Sequence, residues 1–414
     1  MFLVLTVSMW VMDLIFSIEY LKHDRRRVRF YVFYVLTLIS MTGICLSRNL
    51  LTMYLFYEMM ALMSLPLVLH DQTKEALSAG RKYIFYSMGG AFAGLAGFFF
   101  IYIYADTLTF TPGGVLDMAR LAGHEDAMLI VTMLVIIGFG SKAGMFPLHA
   151  WLPTAHPVAP SPASAFLSGN ITKMGVFVII RYIYYLVGPE FIRGTWVQYT
   201  FLALTMLTIM MGSMMAYKEQ LMKKRLAYST VSQVSYALFG IALLTPAGFT
   251  GAMMHVIFHS LVKNTLFETA GAVMHMTGFK KASEYKDLAR KMPVTMWCYA
   301  LVSITLVGVP PTSAFLSKWY IAQGALSSGT GVITWLGPVI LILSALLTAG
   351  YLLSVMLTAF FPGDEYDYPC LEKKEPRITM LLPMLCMAAA AVIFGIFPGP
   401  VMKIITGIAD VLFV

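Results

Sequence analysis

The chain has 414 residues, of which 59% are hydrophobic and 12% charged, and its mean hydropathy is +0.76. A soluble domain carries about 25% charged residues, so these values exclude a soluble enzyme or binding module and imply an integral membrane protein. The net charge of +8 does not argue for nucleic acid, because the basic residues fall in short segments between apolar runs, where they orient a protein in a bilayer.

Apolar runs of roughly 20 residues, the length that crosses a bilayer, recur almost without pause. They predict spans over 1–21, 28–46, 50–69, 83–104, 127–152, 163–187, 196–217, 225–244, 249–276, 294–326, 334–361 and 378–397. The expected fold is an all-α polytopic membrane protein of about twelve transmembrane helices. The first stretch, MFLVLTVSMWVMDLIF, has no basic n-region and no small-residue cleavage site, so it reads as a retained span. Asp13 lies inside it, and periodicity supplies no partner for that carboxyl. The tail from Gly399 to Val414 reads as a short interfacial helix. No soluble domain is predicted, so no cofactor is expected in this chain, and redox centres belong to other subunits. Cys45, Cys298, Cys370 and Cys386 show neither a CxxC pair nor metal-ligand spacing and read as free thiols.

Charge predicts orientation. Lys22, Arg25, Arg26, Arg27 and Arg29 follow the first span, and Lys74, Arg81 and Lys82 the third. Lys218, Lys223, Lys224 and Arg225 follow the seventh; Lys280, Lys281, Lys286, Arg290 and Lys291 the ninth; Lys373, Lys374 and Arg377 the eleventh. The opposite face holds only Arg48, Arg120, Arg193 and Lys403, with Arg181 late in a span. By the positive-inside rule, a multi-pass protein of the cytoplasmic membrane with both termini outside is expected. Lys142, Lys173, Lys263 and Lys318 remain, all within spans.

Two spans are interrupted. Gly138 to Met174 reads GFGSKAGMFPLHAWLPTAHPVAPSPASAFLSGNITKM, with five prolines between Lys142 and Lys173. Proline removes an amide donor and collides with the preceding turn, so this run cannot be one straight helix. A chain breaks inside a bilayer only where protein or a water-filled cavity satisfies the freed backbone, and transporters build ion sites at such breaks. The second break is GVPPTSAFLSKWYIAQGAL, Gly308 to Leu326, with Pro310 and Pro311 before Lys318. The breaks fall in the fifth and tenth spans. Five is odd, so a second copy of a five-span unit enters from the opposite face. The chain therefore divides into a peripheral helix and loop (1–27), two inverted five-helix repeats (28–187 and 196–361), each with one broken helix, and a C-terminal helix and tail (377–414). Lys318 is expected as the inverted counterpart of Lys142.

Ionisable residues in these spans are the candidate proton carriers. A buried carboxylate costs several kcal/mol unless paired, so Glu58, in NLLTMYLFYEMMALMSLPLVL, calls for a partner, and Lys142 is expected to be it. Two unit charges about 4 Å apart attract by roughly 4 kcal/mol at an effective dielectric near 20. Lys173 lies near the start of the next span, where snorkelling to the interface is the bland alternative. His255, His259 and Lys263 recur at i, i+4 and i+8 on one helical stripe. HxxxH can hold a metal, but no third ligand is evident, so no metal is expected and a titratable stripe facing a hydrated interior is the reading kept. Glu268, offset around that helix, reads either as a relay member or as a bridge to a neighbour. His149 could serve the path, whereas His156 reads as a solvated loop residue.

The run KAGMFPLHAWLPTAHPVAPSPASAFLSG with Lys173 closely resembles the signature of the proton-translocating, antiporter-like membrane subunits. These occur in respiratory complex I, membrane-bound hydrogenases and multisubunit cation/proton antiporters. LMKKRLAYSTVSQVSYALFGIAL, HSLVKNTLFETAG and GVPPTSAFLSKW are similar to further family motifs, so the resemblance covers nearly the whole chain. It implies a membrane-parallel proton path of Glu58 with Lys142, then Lys173, then His259 and Lys263, then Lys318. Two departures stand out. Family members have about fourteen spans, and this chain begins at what resembles their third; Glu268 occupies a position that is usually apolar.

The function expected is a subunit moving H+, with Na+ as a second candidate ion, within a larger complex of the NADH:quinone oxidoreductase or membrane-bound hydrogenase type. Its partners are other membrane subunits and the lipid bilayer. A subunit of a stand-alone Na+/H+ antiporter and a non-transporting structural subunit are the alternatives. The scarcity of intramembrane acids argues against the first, and four costly intramembrane lysines against the second.

Overall fold

The computed structural model describes residues 1–363 and 373–413. Its long helices are α1 (Phe2–Tyr20), α2 (Arg27–Leu46), α3 (Leu50–Val68), α4 (Lys74–Tyr104) and α5 (Glu125–Ala143). A short helix α6 (Leu152–Val158) precedes α7 (Ser161–Val187). Then come α8 (Trp196–Lys218), α9 (Met222–Ala242), α10 (Pro246–Thr277), α11 (Pro293–Val307) and α12 (Ser313–Leu326). The chain closes with α13 (Ile333–Phe360), α14 (Ile378–Ile396) and α15 (Gly399–Leu412). Only isolated β-bridges occur among the described residues, such as Leu221 with Lys281. Cys45, Cys298 and Cys386 are free thiols; Cys370 lies outside the described residues.

Nine of these helices are long and apolar enough to cross a membrane. α9 and α10 are not among them, because their polar residues dilute the hydropathy. Those residues point inward: Ser229, Gln233, His255, His259, Lys263 and Glu268 are all buried. The outer surface is apolar instead, with Val4, Phe85 and Trp335 each more than 70% exposed. This polar-inside, apolar-outside arrangement is what a lipid solvent selects.

α4 starts at Lys74 rather than near residue 83, because the Thr73 side chain accepts the Ala76 amide and caps the helix. At 31 residues it is about 46 Å long, which exceeds a hydrocarbon core of about 30 Å and carries Lys74, Arg81 and Lys82 beyond it. Lys223 and Arg225, read from sequence as loop residues, are instead buried in the first turn of α9. Lys223 Nζ donates to the Ala159 carbonyl at the end of α6, and Arg225 Nη1 to the Tyr351 carbonyl at 3.0 Å.

Both interrupted spans end their first half alike. α5 stops at Gly144 and α11 at Gly308, each left-handed with φ of +79° and +91°, a conformation open to glycine at no steric cost. A cis peptide bond follows in each, Phe146–Pro147 and Pro310–Pro311. The freed backbone finds partners within the protein: Trp151 Nε1 donates to the Ser141 carbonyl at 2.7 Å, and Phe146 N to Thr208 Oγ1 at 3.1 Å. Registering the breaks on Gly144 and Gly308 sets Lys142 opposite Leu306. Lys318 is therefore not the register counterpart of Lys142, because it lies beyond the break while Lys142 lies before it.

Candidate functional site: a buried row of lysines and histidines

Lys142 occupies the last turn of α5 and is fully buried. Its Nζ donates to Tyr83 Oη at 2.7 Å and Ser87 Oγ at 2.9 Å, one turn apart on α4, and lies 4.2 Å from the centre of the Tyr83 ring. Gly90 and Gly138 bring these helices together: a methyl group on Gly90 would stand 2.3 Å from the Gly138 carbonyl oxygen. Tyr83 is hydrogen-bonded in turn to Ser64 on α3.

Glu58 does not form the expected ion pair with Lys142. It is only partly buried, one oxygen accepts from Tyr54 Oη at 2.9 Å, and the other has no partner. The lysine remains within its electrostatic reach. The reason is α4, which lies against both α3 and α5 and supplies hydroxyls at the place where the carboxylate was expected.

Lys173 is 2% exposed, which removes the snorkelling alternative. A widened π-type turn over Leu167–Ile171 precedes it, and Nζ folds back onto the Ser168 carbonyl in that turn. Such turns recur at functional sites. Gly175 allows α7 to approach α5 until a methyl group would stand 2.7 Å from the Ala143 amide, so Lys173 sits one helix from Lys142.

The stripe on α10 is wholly interior. Lys263 Nζ donates to Ser229 Oγ at 2.6 Å and to the Leu226 carbonyl at 3.2 Å, both on α9. His259 has no hydrogen-bond partner on either ring nitrogen and stacks 5.8 Å from His255. His255 stacks on Tyr236 at 5.4 Å and shares a hydrogen bond of 2.9 Å with Ser317 on α12. The next residue, Lys318, is partly buried and donates to the Leu306 and Val307 carbonyls at 2.7 and 2.9 Å. Its Nζ lies 5.3 Å from the centre of the same Tyr236 ring.

His156 is no solvated loop residue. It is fully buried in α6, stacked 4.7 Å from Phe267, with both nitrogens unpartnered and with Lys223, Lys263 and Lys173 within electrostatic reach. The sequence held no cue for this, because the proline run hides a buried half-helix. Tyr83, Ser87, Ser229 and Tyr236 were missed for a similar reason: hydroxyls in apolar spans are common. His149 is half-buried against Phe146, at 5.9 Å, and is not brought into the row. Glu268 and Asp13 form a separate feature, described below. Among the described residues no group of three or more His, Cys, Asp or Glu could hold a metal.

Residues 47–362 match the family model described as NADH:quinone oxidoreductase/Mrp antiporter, transmembrane. The chain belongs to this family. It is 30% identical over 412 residues to NADH-quinone oxidoreductase subunit N of Desulforudis audaxviator (strain MP104C), covering 95% of this chain and 80% of that protein. It is also 30% identical to hydrogenase-4 component B of Escherichia coli (strain K12), over 95% of this chain but 61% of the relative. The structure of the Mrp complex from Dietzia sp. DQ12-45-1b contains a chain of the same fold, with a TM-score of 0.83 at 20% identity, covering 100% of this chain and 83% of that one. This family member is thus a multi-pass membrane subunit of antiporter-like type.

Proposed function

We propose that this chain translocates protons within a larger membrane complex of the quinone-oxidoreductase or hydrogenase type, using the row from Glu58 to Lys318. The observation that carries this reading is the pattern of burial along the row. Its two ends, Glu58 and Lys318, are partly exposed, while Lys142, Lys173, His259 and Lys263 are at most 2% exposed. No carboxylate pairs with any of these four among the described residues. A buried lysine held only by hydroxyls and carbonyls costs several kcal/mol as a cation. It is therefore poised to exist in either protonation state, which a carrier needs and a structural ion pair does not. Each hop moves one proton from an ammonium to a neutral neighbour, and Ser229, Ser317 and Tyr83 orient the donors.

Aqueous access is available on the basic face. A cleft of about 480 Å³ there is lined by Tyr20, Asp24, Asp71 and Lys223, and Lys223 leads to His156 and so to the centre of the row. We assign this face to the cytoplasm, which sets both termini outside. The test is proton uptake into sealed vesicles containing the complex, driven by its redox reaction. Lys263→Ala should abolish uptake while the complex still assembles; uptake at the normal rate would refute the reading.

The second reading is Na+/H+ exchange without a redox partner, favoured by the family description, which names the Mrp antiporter beside the quinone oxidoreductase. A Na+ gradient alone, with no electron donor, would then drive proton movement in the same vesicles.

A further inference from the structure

Asp13 on α1 and Glu268 on α10 meet inside the protein. Both are 0% exposed, and their carboxyls lie within hydrogen-bonding reach of each other. None of their four oxygens receives a donor from any other described residue. Among the described residues, the groups within electrostatic reach of the pair are the Tyr34 phenol on α2 and the Cys298 thiol on α11, neither of them a cation. Two carboxylates in contact, away from water and without a cation, cannot both be ionised, since repulsion and lost hydration act together. One proton between them replaces the repulsion with a charge-assisted hydrogen bond.

A run of unpartnered amides leads from this pair back to the row. Asn264 stands one turn before Glu268 on the same face of α10 and is the residue after Lys263. Asn264 and Asn170 are at most 1% exposed, and neither the nitrogen nor the oxygen of either amide has a partner. The Asn264 amide lies in the space left by Gly169, where a methyl group would come within 1.7 Å of its oxygen. Buried amides of this kind are ordinarily satisfied by ordered water. On the other side, Tyr20 lies seven residues from Asp13 on the same face of α1, where it lines the cleft on the basic face.

We propose that Asp13 and Glu268 form a proton-holding carboxyl pair, a side station that exchanges its proton with Lys263 past Asn264. When Lys263 gives up a proton it becomes a neutral amine and the pair goes from a charge of minus one to zero; the return step reverses both changes. The exchange with Lys263 rests on the function proposed above, whereas the shared proton does not.

Infrared spectroscopy of the intact complex, with ¹³C-labelled aspartate or glutamate, tests both parts. At neutral pH a protonated-carboxyl C=O band is expected that shifts with the labels and is lost in the Asp13→Asn/Glu268→Gln double variant. Its absence from the native complex, a measurement that needs no variant, would overturn the pair, as would its persistence in the double variant. In heavy water the band should exchange, and Asn264→Leu should slow that exchange about tenfold, the equivalent of one lost hydrogen bond. Equal rates would overturn the connection to the row. Should Lys263→Ala prove harmless to transport, the band would still stand, so the two failures are separable.

Discussion

Lys318 donates from Nζ to the main-chain carbonyl of Leu306 at 2.7 Å, the residue that occupies in the second break the register position of Lys142 in the first. The Lys318 ammonium thus lies at the C-terminal end of the first half-helix of its break, where unpaired carbonyls concentrate negative potential, whereas the Lys142 ammonium turns to the Tyr83 and Ser87 hydroxyls of α4. In the first break the Ser141 carbonyl accepts from the Gly144 amide and the Trp151 indole; in the second the Lys318 side chain supplies the donor to Leu306 and Val307. On the proposed function, deprotonating Lys318 would weaken the cap on α11 and so couple its charge to the geometry of the break.

Substitutions at Lys318 should separate capping from transport. Lys318→Arg keeps donors for the Leu306 and Val307 carbonyls but cannot release a proton, because a guanidinium stays charged in proteins. Normal assembly with proton uptake reduced about a hundredfold or more is expected, on the scale of a lost acid–base group. Lys318→Met should lower both uptake and thermal stability. Full uptake by the Arg variant would remove Lys318 from the path.

Tyr83, not Glu58, should be the structural partner of Lys142. In double-mutant cycles on thermal stability, Tyr83→Phe with Lys142→Ala should show a coupling of about 0.5–3 kcal/mol, as contacting residues do. Glu58→Gln with Lys142→Ala should be close to additive in stability yet far from additive in proton uptake, since one path serves both. The reverse ranking in stability would mean that the carboxylate, not the phenol, holds the lysine.

Orientation can be read by labelling. In a background with the native cysteines replaced, Lys281→Cys should react with an impermeant thiol reagent only from the cytoplasmic side. Ala119→Cys, exposed in the segment between α4 and α5, should react only from outside. Swapped labelling would invert the assignment of the basic face and the direction of transport that follows from it.

Acid should loosen the loop after α10. Glu284 accepts the main-chain N–H groups of Lys281 and Lys280, both at 2.7 Å, and this holds its exposed carboxyl below the usual range. A carboxyl lowered by folding stabilises the folded loop above its unfolded value of about 4.3. That contribution disappears as pH falls through the lower folded value. Glu284→Gln should therefore unfold at a slightly lower temperature than the native protein at pH 7, with the difference shrinking as the pH is lowered below about 4.3. A gap that widened on acidification would contradict the assignment.

Much of this protein follows from its sequence because a lipid solvent constrains a chain so strongly. Apolar runs long enough to cross a bilayer leave helices as the economical structure, and the prolines after Gly144 and Gly308 mark both breaks. The same logic isolates Lys142, Lys173, His255, His259, Lys263 and Lys318, since an ionisable residue in an apolar span needs a reason to be there.

What only the tertiary structure decided is which groups meet. Hydropathy says that Glu58 is in a span but not that α4 offers Tyr83 and Ser87 to Lys142 while Glu58 is met by Tyr54. Helical spacing aligns His255, His259 and Lys263, yet nothing local reveals that the proline run folds His156 inward onto Phe267. Asp13 and Glu268 are 255 positions apart on helices whose contact no periodicity encodes. A side chain's depth in the bilayer is a property of its own segment, whereas its partner depends on how segments pack, and packing is settled by shape at glycines such as Gly90, Gly169 and Gly175.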